Sequence, residues 1–197
     1  MWKYSEETLK QFKEQKNAGE IENPDGRAEI GNASCGDALT LTFKLDDEGR
    51  IADAKFLTYG CVSAIAASSM LTQMIIGLTL DEALKITNKD IADKLGGLPE
   101  AKMHCSVMGM EALHAAIANY RGEPNPFESD EDHEGRLICR CFGVTDVKVL
   151  KVARENQLRN AEEVTQYCKA GGACGSCLDD IQRILDDMWK FDQALKK

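Results

Sequence analysis

The stretch "LTLTFKLDDEGRIADAKFLTY" (residues 39–59) decides how the first part of this chain is built. Leu39, Leu41, Phe43 and Leu45 alternate with Thr40, Thr42 and Lys44, the period of two that marks a half-buried strand. "DDEG" (46–49) supplies turn chemistry and "RIADAKFLTY" returns as a second strand, so the pair reads as an antiparallel hairpin. Upstream, "GNASCGD" (31–37) is a polar loop carrying Cys35 and Asp37. A structural cysteine belongs inside an apolar run, and Cys35 is not in one. Downstream, "SAIAASSMLTQMII" (63–76) predicts a helix ended by Gly77. Thr79 and Glu82 form a T-x-x-E capping box, Thr87 caps "NKDIADKL", and a last helix is expected from Cys105 to Tyr120. Strands followed by helices make an α+β unit.

That unit ends in an acidic stretch. "GEPNPFESDEDHEG" (122–135) holds two prolines, two glycines, six acids and no lysine or arginine. Such a block repels itself and stays extended, so it reads as a linker between a domain at 1–121 and another at 136–197. Charge changes across it: residues 1–135 carry 13 basic and 24 acidic side chains, against 11 and 9 in residues 136–197. Beyond it, Thr145 and Asn160 open two helices, "KAGGACGSC" is a glycine loop, and "LDDIQRILDDMWKF" is an amphipathic helix. A small all-α unit is expected there. The net charge of −9 lacks the electrostatic footprint of a nucleic-acid binder. No apolar run reaches the eighteen or so residues of a membrane span, and "MWKYSEETLKQF" has no apolar signal region, so a cytoplasmic protein is expected.

Eight cysteines in a reducing compartment need a purpose other than disulfides. Cys139 and Cys141 in "CRC", with Cys174 and Cys177 in "CGSC", form two close pairs able to converge on one metal centre. A domain of this size lacks a large core and would also gain stability from a metal. Gly171, Gly172 and Gly175 let backbone N–H groups approach the sulfurs, a setting that suits an anionic four-thiolate 2Fe-2S centre. Structural zinc and a redox dithiol compete, although C-x-C is unusual for zinc ribbons. Cys168, closing a helix, reads as a buried bystander. In the first domain, Cys35, Cys61 and Cys105 all sit at element ends, where distant parts of a chain can meet. Three thiolates with Asp37 or His104 would make a tetrahedral site holding iron less firmly than four thiolates do. The alternative is that the three are apolar fillers. A Cys–His nucleophilic pair is disfavoured, because the adjacent His104 and Cys105 are expected to point apart. There is no G-x-S-x-G, P-loop or Rossmann fingerprint.

"NASCGDALTL", "TYGCVSAIAASS", "LTLDEALKITNKDIADKLGGLP" and "KMHCSVMG" closely resemble the U-type iron–sulfur scaffold domain of the IscU and NifU family. "ICRCFGV" with "CKAGGACGSC" resembles the bacterioferritin-associated-ferredoxin-like 2Fe-2S domain, and the order of the two resembles NifU. The resemblance implies a transient cluster site at Cys35, Cys61 and Cys105, with Asp37 controlling lability and His104 beside Cys105 as a further ligand. It implies a permanent 2Fe-2S cluster on Cys139, Cys141, Cys174 and Cys177. It also implies a cysteine desulfurase of the NifS or IscS type as sulfur donor, apo-proteins as recipients, a homodimer, and zinc in the first site when no cluster is held. The chain departs from the family pattern at three places. Longer members carry a third domain with its own C-x-x-C, Val62 stands where glycine usually follows the cysteine, and "LPEAK" (98–102) replaces the "LPPVK" offered to a chaperone. Together these features describe an assembly scaffold, not an enzyme. The runner-up is a ferredoxin-like electron-transfer protein with a zinc-stabilised N-terminal domain, followed by a zinc-stabilised interaction module.

Overall fold

The computed structural model describes residues 3–32, 37–127 and 135–194. Cys35 and the acidic residues 128–134 lie outside them. The chain divides into two compact units, Met1–Glu128 and Ser129–Lys197.

In the first unit the hairpin forms as its pattern predicts, and gains a third strand. The elements are α1 (Glu6–Glu14), β1 (Gly26–Asn32), β2 (Asp37–Leu45), β3 (Ile51–Tyr59), α2 (Val62–Ile75), α3 (Leu80–Ala83), α4 (Asn88–Lys94), a 3-10 turn (Glu100–Lys102) and α5 (Met103–Arg121). The sheet is antiparallel in the order β1-β2-β3, with Leu39 opposite Ile30 on one side and Thr58 on the other. Leu39, Leu41 and Phe43 point into the core, each contributing about 1.5–3 kcal/mol by leaving water. Thr40 and Thr42, expected on a wet face, are buried as well. The cause is the segment after α1, which crosses that face. The Thr42 hydroxyl accepts from the Ile21 amide at 3.2 Å and faces the Lys55 carbonyl at 3.4 Å.

Helix α2 is made of small and apolar residues and is buried on nearly every side, packed against α1, β3 and α5. Thr79–Glu82 and Thr87–Asp90 both close capping boxes, fixing where α3 and α4 begin. Helix α1 docks through polar groups. The buried Gln11 carboxamide accepts from Ser69 and Gln73, both at 2.7 Å, and donates to Glu7 at 2.8 Å. Losing that side chain would leave Ser69 with the Lys16 carbonyl and Gln73 with the Ser69 carbonyl as their remaining acceptors, and would remove the link between α1 and α2. The unit continues past Arg121: Phe127 packs against the core, its ring 6.2 Å from that of His114.

The second unit comprises β4 (Leu137–Cys139), β5 (Val144–Thr145), α6 (Asp146–Asn156), α7 (Ala161–Cys168) and α8 (Leu178–Ala194). It is helical as expected, with a small antiparallel ladder of β4 on β5 that the sequence did not suggest. Thr145 caps α6, and Asn160 caps α7 through a box with Glu163. Val149, Val152, Val164, Ile181 and Leu185 fill the core between the three helices. No helix of the described residues is long and apolar enough to cross a membrane.

Candidate metal centres

Three element ends meet in the first unit. Asp37 begins β2, Cys61 immediately precedes α2, and His104 and Cys105 lie in the first turn of α5. The ligand atoms of Asp37, His104 and Cys105 all lie within 4.8 Å of one another. The Cys61 and Cys105 sulfurs are 3.6 Å apart. His104 Nε2 is 3.9 Å from the Asp37 carboxylate, and each side chain is only 12% exposed. His104 and Cys105 therefore converge where divergence was expected. Their position at the very start of α5, entered from the 3-10 turn, lets neighbouring side chains lean over one helix end. Cys35 lies outside the described residues. Val62 simply opens α2, and "LPEAK" supplies the 3-10 turn before α5.

Two contributors were not singled out from the sequence. Gly60 is one: a Cβ there would sit 3.1 Å from Asp37 Oδ1 and 2.9 Å from the Ala64 Cβ, so the absence of a side chain is what lets the carboxylate lie over the entry to α2. The "YGC" triplet was the available signal. Lys102 is the other, through its charge. The Cys105 sulfur in hydrogen-bond contact favours a thiolate at Cys61 and, against the effect of partial burial, so do the amides of Ala64 and Ser63 and the Lys102 charge. Together they hold the Cys61 thiol at about 5, down from 9.0. Cys105 is pushed far above the ordinary range by the Cys61 sulfur, by burial and by the Asp37 charge. One thiolate and one thiol share the site.

A labelling experiment checks this. Alkylation of metal-free protein at pH 6.5 should modify Cys61 and spare Cys105. The Cys61 rate should already be flat above about pH 6, because its thiol is ionised from about 5 upward. Peptide mapping that finds the two labelled equally, or a Cys61 rate still climbing toward pH 9, would contradict the assignment.

In the second unit, Cys139 ends β4 and is buried, while Cys141 lies exposed in the turn between β4 and β5. Cys174 is exposed in the glycine loop, and Cys177 is buried immediately before α8. Cys141 and Cys174 bring their sulfurs to 3.5 Å. Burial pushes the Cys177 thiol up to about 11, with contact from Cys139 adding to it, while its own amide and that of Gly171 pull the other way. The Ser176 hydroxyl and amide, together with Cys141, bring the exposed Cys174 down to about 7.

The Cys141 and Cys174 sulfurs thus form one close pair, and Cys139 and Cys177 lie near enough to act on each other. Gly171 is in the left-handed region at φ +88°, and a Cβ on it would sit 2.4 Å from Leu178 Cδ2, so the loop closes only with glycine there. Cys168 is buried at the end of α7, in the same core as Cys139 and Cys177, and donates to the Val164 carbonyl at 3.4 Å. All seven described cysteines are free thiols.

Comparison with known proteins bears on both units. Residues 3–126 match the NifU-like N terminal domain family, and residues 137–187 match the BFD-like 2Fe-2S binding domain. The chain is 56% identical over 195 residues to "Nitrogen fixation protein NifU" of Trichormus azollae, covering 95% of this chain and 65% of that protein. It is 49% identical over 117 residues to "Iron-sulfur cluster assembly scaffold protein IscU 1" of Archaeoglobus fulgidus, covering 59% of this chain and 76% of that one. Among solved structures, a SUF-system iron–sulfur cluster assembly scaffold protein from Fervidobacterium islandicum superposes with a TM-score of 0.51 at 28% identity. That match spans 58% of this chain and 96% of the other. The chain therefore spans just under two thirds of the length of its nitrogen-fixation relative.

Proposed function

The chain belongs to the NifU-like N terminal domain family, and on that premise we propose that it is a scaffold for iron–sulfur cluster assembly and not an enzyme. Its first unit builds a cluster as cargo and gives it up, and its second unit keeps one. The observation that carries this is the mixed donor set of the first site, two sulfurs 3.6 Å apart beside a carboxylate and an imidazole. A purely structural metal site wants four firm ligands, whereas a carboxylate among thiolates is a soft point for exchange.

Within the first unit, Cys35, Cys61 and Cys105 hold the cargo, with Asp37 and His104 as the exchangeable partners. Cys61 is the thiolate, so it attacks the outer sulfur of a donor persulfide while the donor's inner sulfur leaves as a thiolate. A cysteine desulfurase of the NifS or IscS type supplies that persulfide, and apo iron–sulfur proteins receive the product. The same donors take zinc when no cluster is held. The protein works as a homodimer in the reducing cytoplasm, where the seven described cysteines persist as free thiols. In the second unit, Cys139, Cys141, Cys174 and Cys177 hold a resident 2Fe-2S cluster, which supplies one-electron redox chemistry when bound. The glycine loop and the start of α8 orient those thiolates, and burial of Cys139 and Cys177 keeps water from one side. The acidic stretch after Phe127 tethers the units.

Supplied with ferrous iron, cysteine and a desulfurase, the full chain should gain a second cluster. Cys35→Ala, Cys61→Ala and Cys105→Ala should each abolish that gain and leave the resident cluster intact. Equal gain in all four proteins would mean that the three cysteines only pack.

A further inference from the structure

Cys174 and Ser176 stand two residues apart in the glycine loop, with Gly175 between them in the left-handed region at φ +73°. That conformation costs glycine nothing, and here it turns the second residue back over the first. The Ser176 hydroxyl comes to 3.1 Å from the Cys174 sulfur, and the Cys141 sulfur lies 3.5 Å from it. Cys174 and Ser176 are both exposed, and Ser176 is outside the core of the second unit. Nor does Ser176 belong to α8, which begins at Leu178 and whose Ile181 amide bonds back to the Cys177 carbonyl at 2.9 Å. A hydroxyl so placed contributes little to folding. The hydrogen bond it makes is to a sulfur.

Either partner can donate while both carry their protons. A cysteine that ligates iron has lost its proton and can only accept, so in the loaded protein the hydroxyl is the donor. A hydrogen bond aimed at a ligand sulfur favours the reduced state, which carries one more negative charge, and losing it lowers the potential. Solvent reaches this exposed edge too. It is not tethered, however, whereas the hydroxyl is held over the sulfur by the turn at Gly175.

We propose that Ser176 is a positioning residue for the resident centre: acting through Cys174, its hydroxyl donates to the ligand sulfur and raises the cluster's reduction potential. This rests on the assignment of Cys139, Cys141, Cys174 and Cys177 as the resident cluster's ligands. Alanine at position 176 removes the donor, and threonine keeps it.

The test is a redox titration of the resident cluster in the full chain, followed by its visible spectrum, for wild type, Ser176→Ala and Ser176→Thr. The thermal transition of each metal-free protein is recorded alongside, and the three should melt alike. At the wild-type midpoint, the reduced-to-oxidised ratio should fall several-fold in the alanine variant and stay near wild type in the threonine variant. A tenfold fall would be a shift of about 59 mV for this one-electron couple. An alanine variant at the wild-type potential overturns the proposal, whether or not its melting is lowered. So does a threonine variant that shifts as alanine does, because the hydroxyl is then not the group at work. An alanine variant that holds no cluster, while wild type holds one, makes Ser176 a condition of retention and overturns its role in setting the potential. A wild-type chain with no 2Fe-2S spectrum at all overturns the ligand assignment, and this proposal falls with it.

Discussion

Cys174→Ser and Cys177→Ser should each yield a chain that has lost essentially all of its resident 2Fe-2S spectrum, while Cys168→Ser stays coloured. The contrast follows from where the sulfurs are. Cys174 stands 3.5 Å from Cys141, and Cys177 contacts Cys139, so either substitution breaks one of two pairs. A metal left with a single thiolate from its pair is not retained, because a serine hydroxyl is a poor ligand for iron at neutral pH. Cys168 has a different job. Its thiol donates to the Val164 carbonyl, and it belongs to neither the C-x-C nor the C-x-x-C pair. Serine there loses some packing and nothing else. Iron and acid-labile sulfide should fall in step with the spectrum in the first two variants. A wild-type chain that is colourless and loaded with zinc would show that the two pairs serve a different metal.

The second large effect is expected at Asp37. Its carboxylate lies over Gly60 and 3.9 Å from His104, on the rim of the pair formed by Cys61 and Cys105. A carboxylate in that place competes with a thiolate for iron or admits solvent, and so opens a route for release. Asp37→Ala leaves the thiolates and closes that route. The variant should keep its cargo cluster through purification, and lose it to a chelator at least about tenfold more slowly than wild type, a rise of about 1.4 kcal/mol in the barrier to release. Transfer to an apo-ferredoxin should slow in parallel. If Asp37 only braces its own turn, the substitution lowers stability without lengthening cluster lifetime. Decay of cluster absorbance in the two proteins side by side decides between these outcomes.

The hairpin and the later helices could be read from the sequence because each carries its own local signal. Leu39 to Leu45 alternate, and Thr79, Thr87, Thr145 and Asn160 cap the helices they precede. Helix α1 and strand β1 went unread for a common reason. The buried residues of α1 are Thr8 and Gln11, which dock by hydrogen bonds and leave no apolar stripe, and "GRAEIGN" opens on glycine and holds few strand-forming residues. The ladder of β4 on β5 is three residues against two, too short to have a period. At the first site, the sequence offers the donor residues but not their approach. That His104 and Cys105 converge depends on the 3-10 turn that feeds α5, and the value of Gly60 depends on a carboxylate 23 positions earlier in the chain. Such facts belong to the tertiary fold. In the second unit, the two C-x-C and C-x-x-C pairs were legible, yet each close contact crosses between them, Cys141 to Cys174 and Cys139 to Cys177.

On the proposed reading the two sites differ in what they are for, and transfer tests that directly. The full chain is loaded with iron and desulfurase-derived sulfur until both sites are filled, then mixed with an apo-ferredoxin, and visible circular dichroism is followed while iron is counted on both proteins after separation. The expected result is that the ferredoxin gains its cluster, and the donor falls back to the iron content and spectrum it had before loading. A ferredoxin that stays empty, or one that fills while the donor loses the spectrum of its second unit, would contradict the assignment of cargo to the first unit and residence to the second.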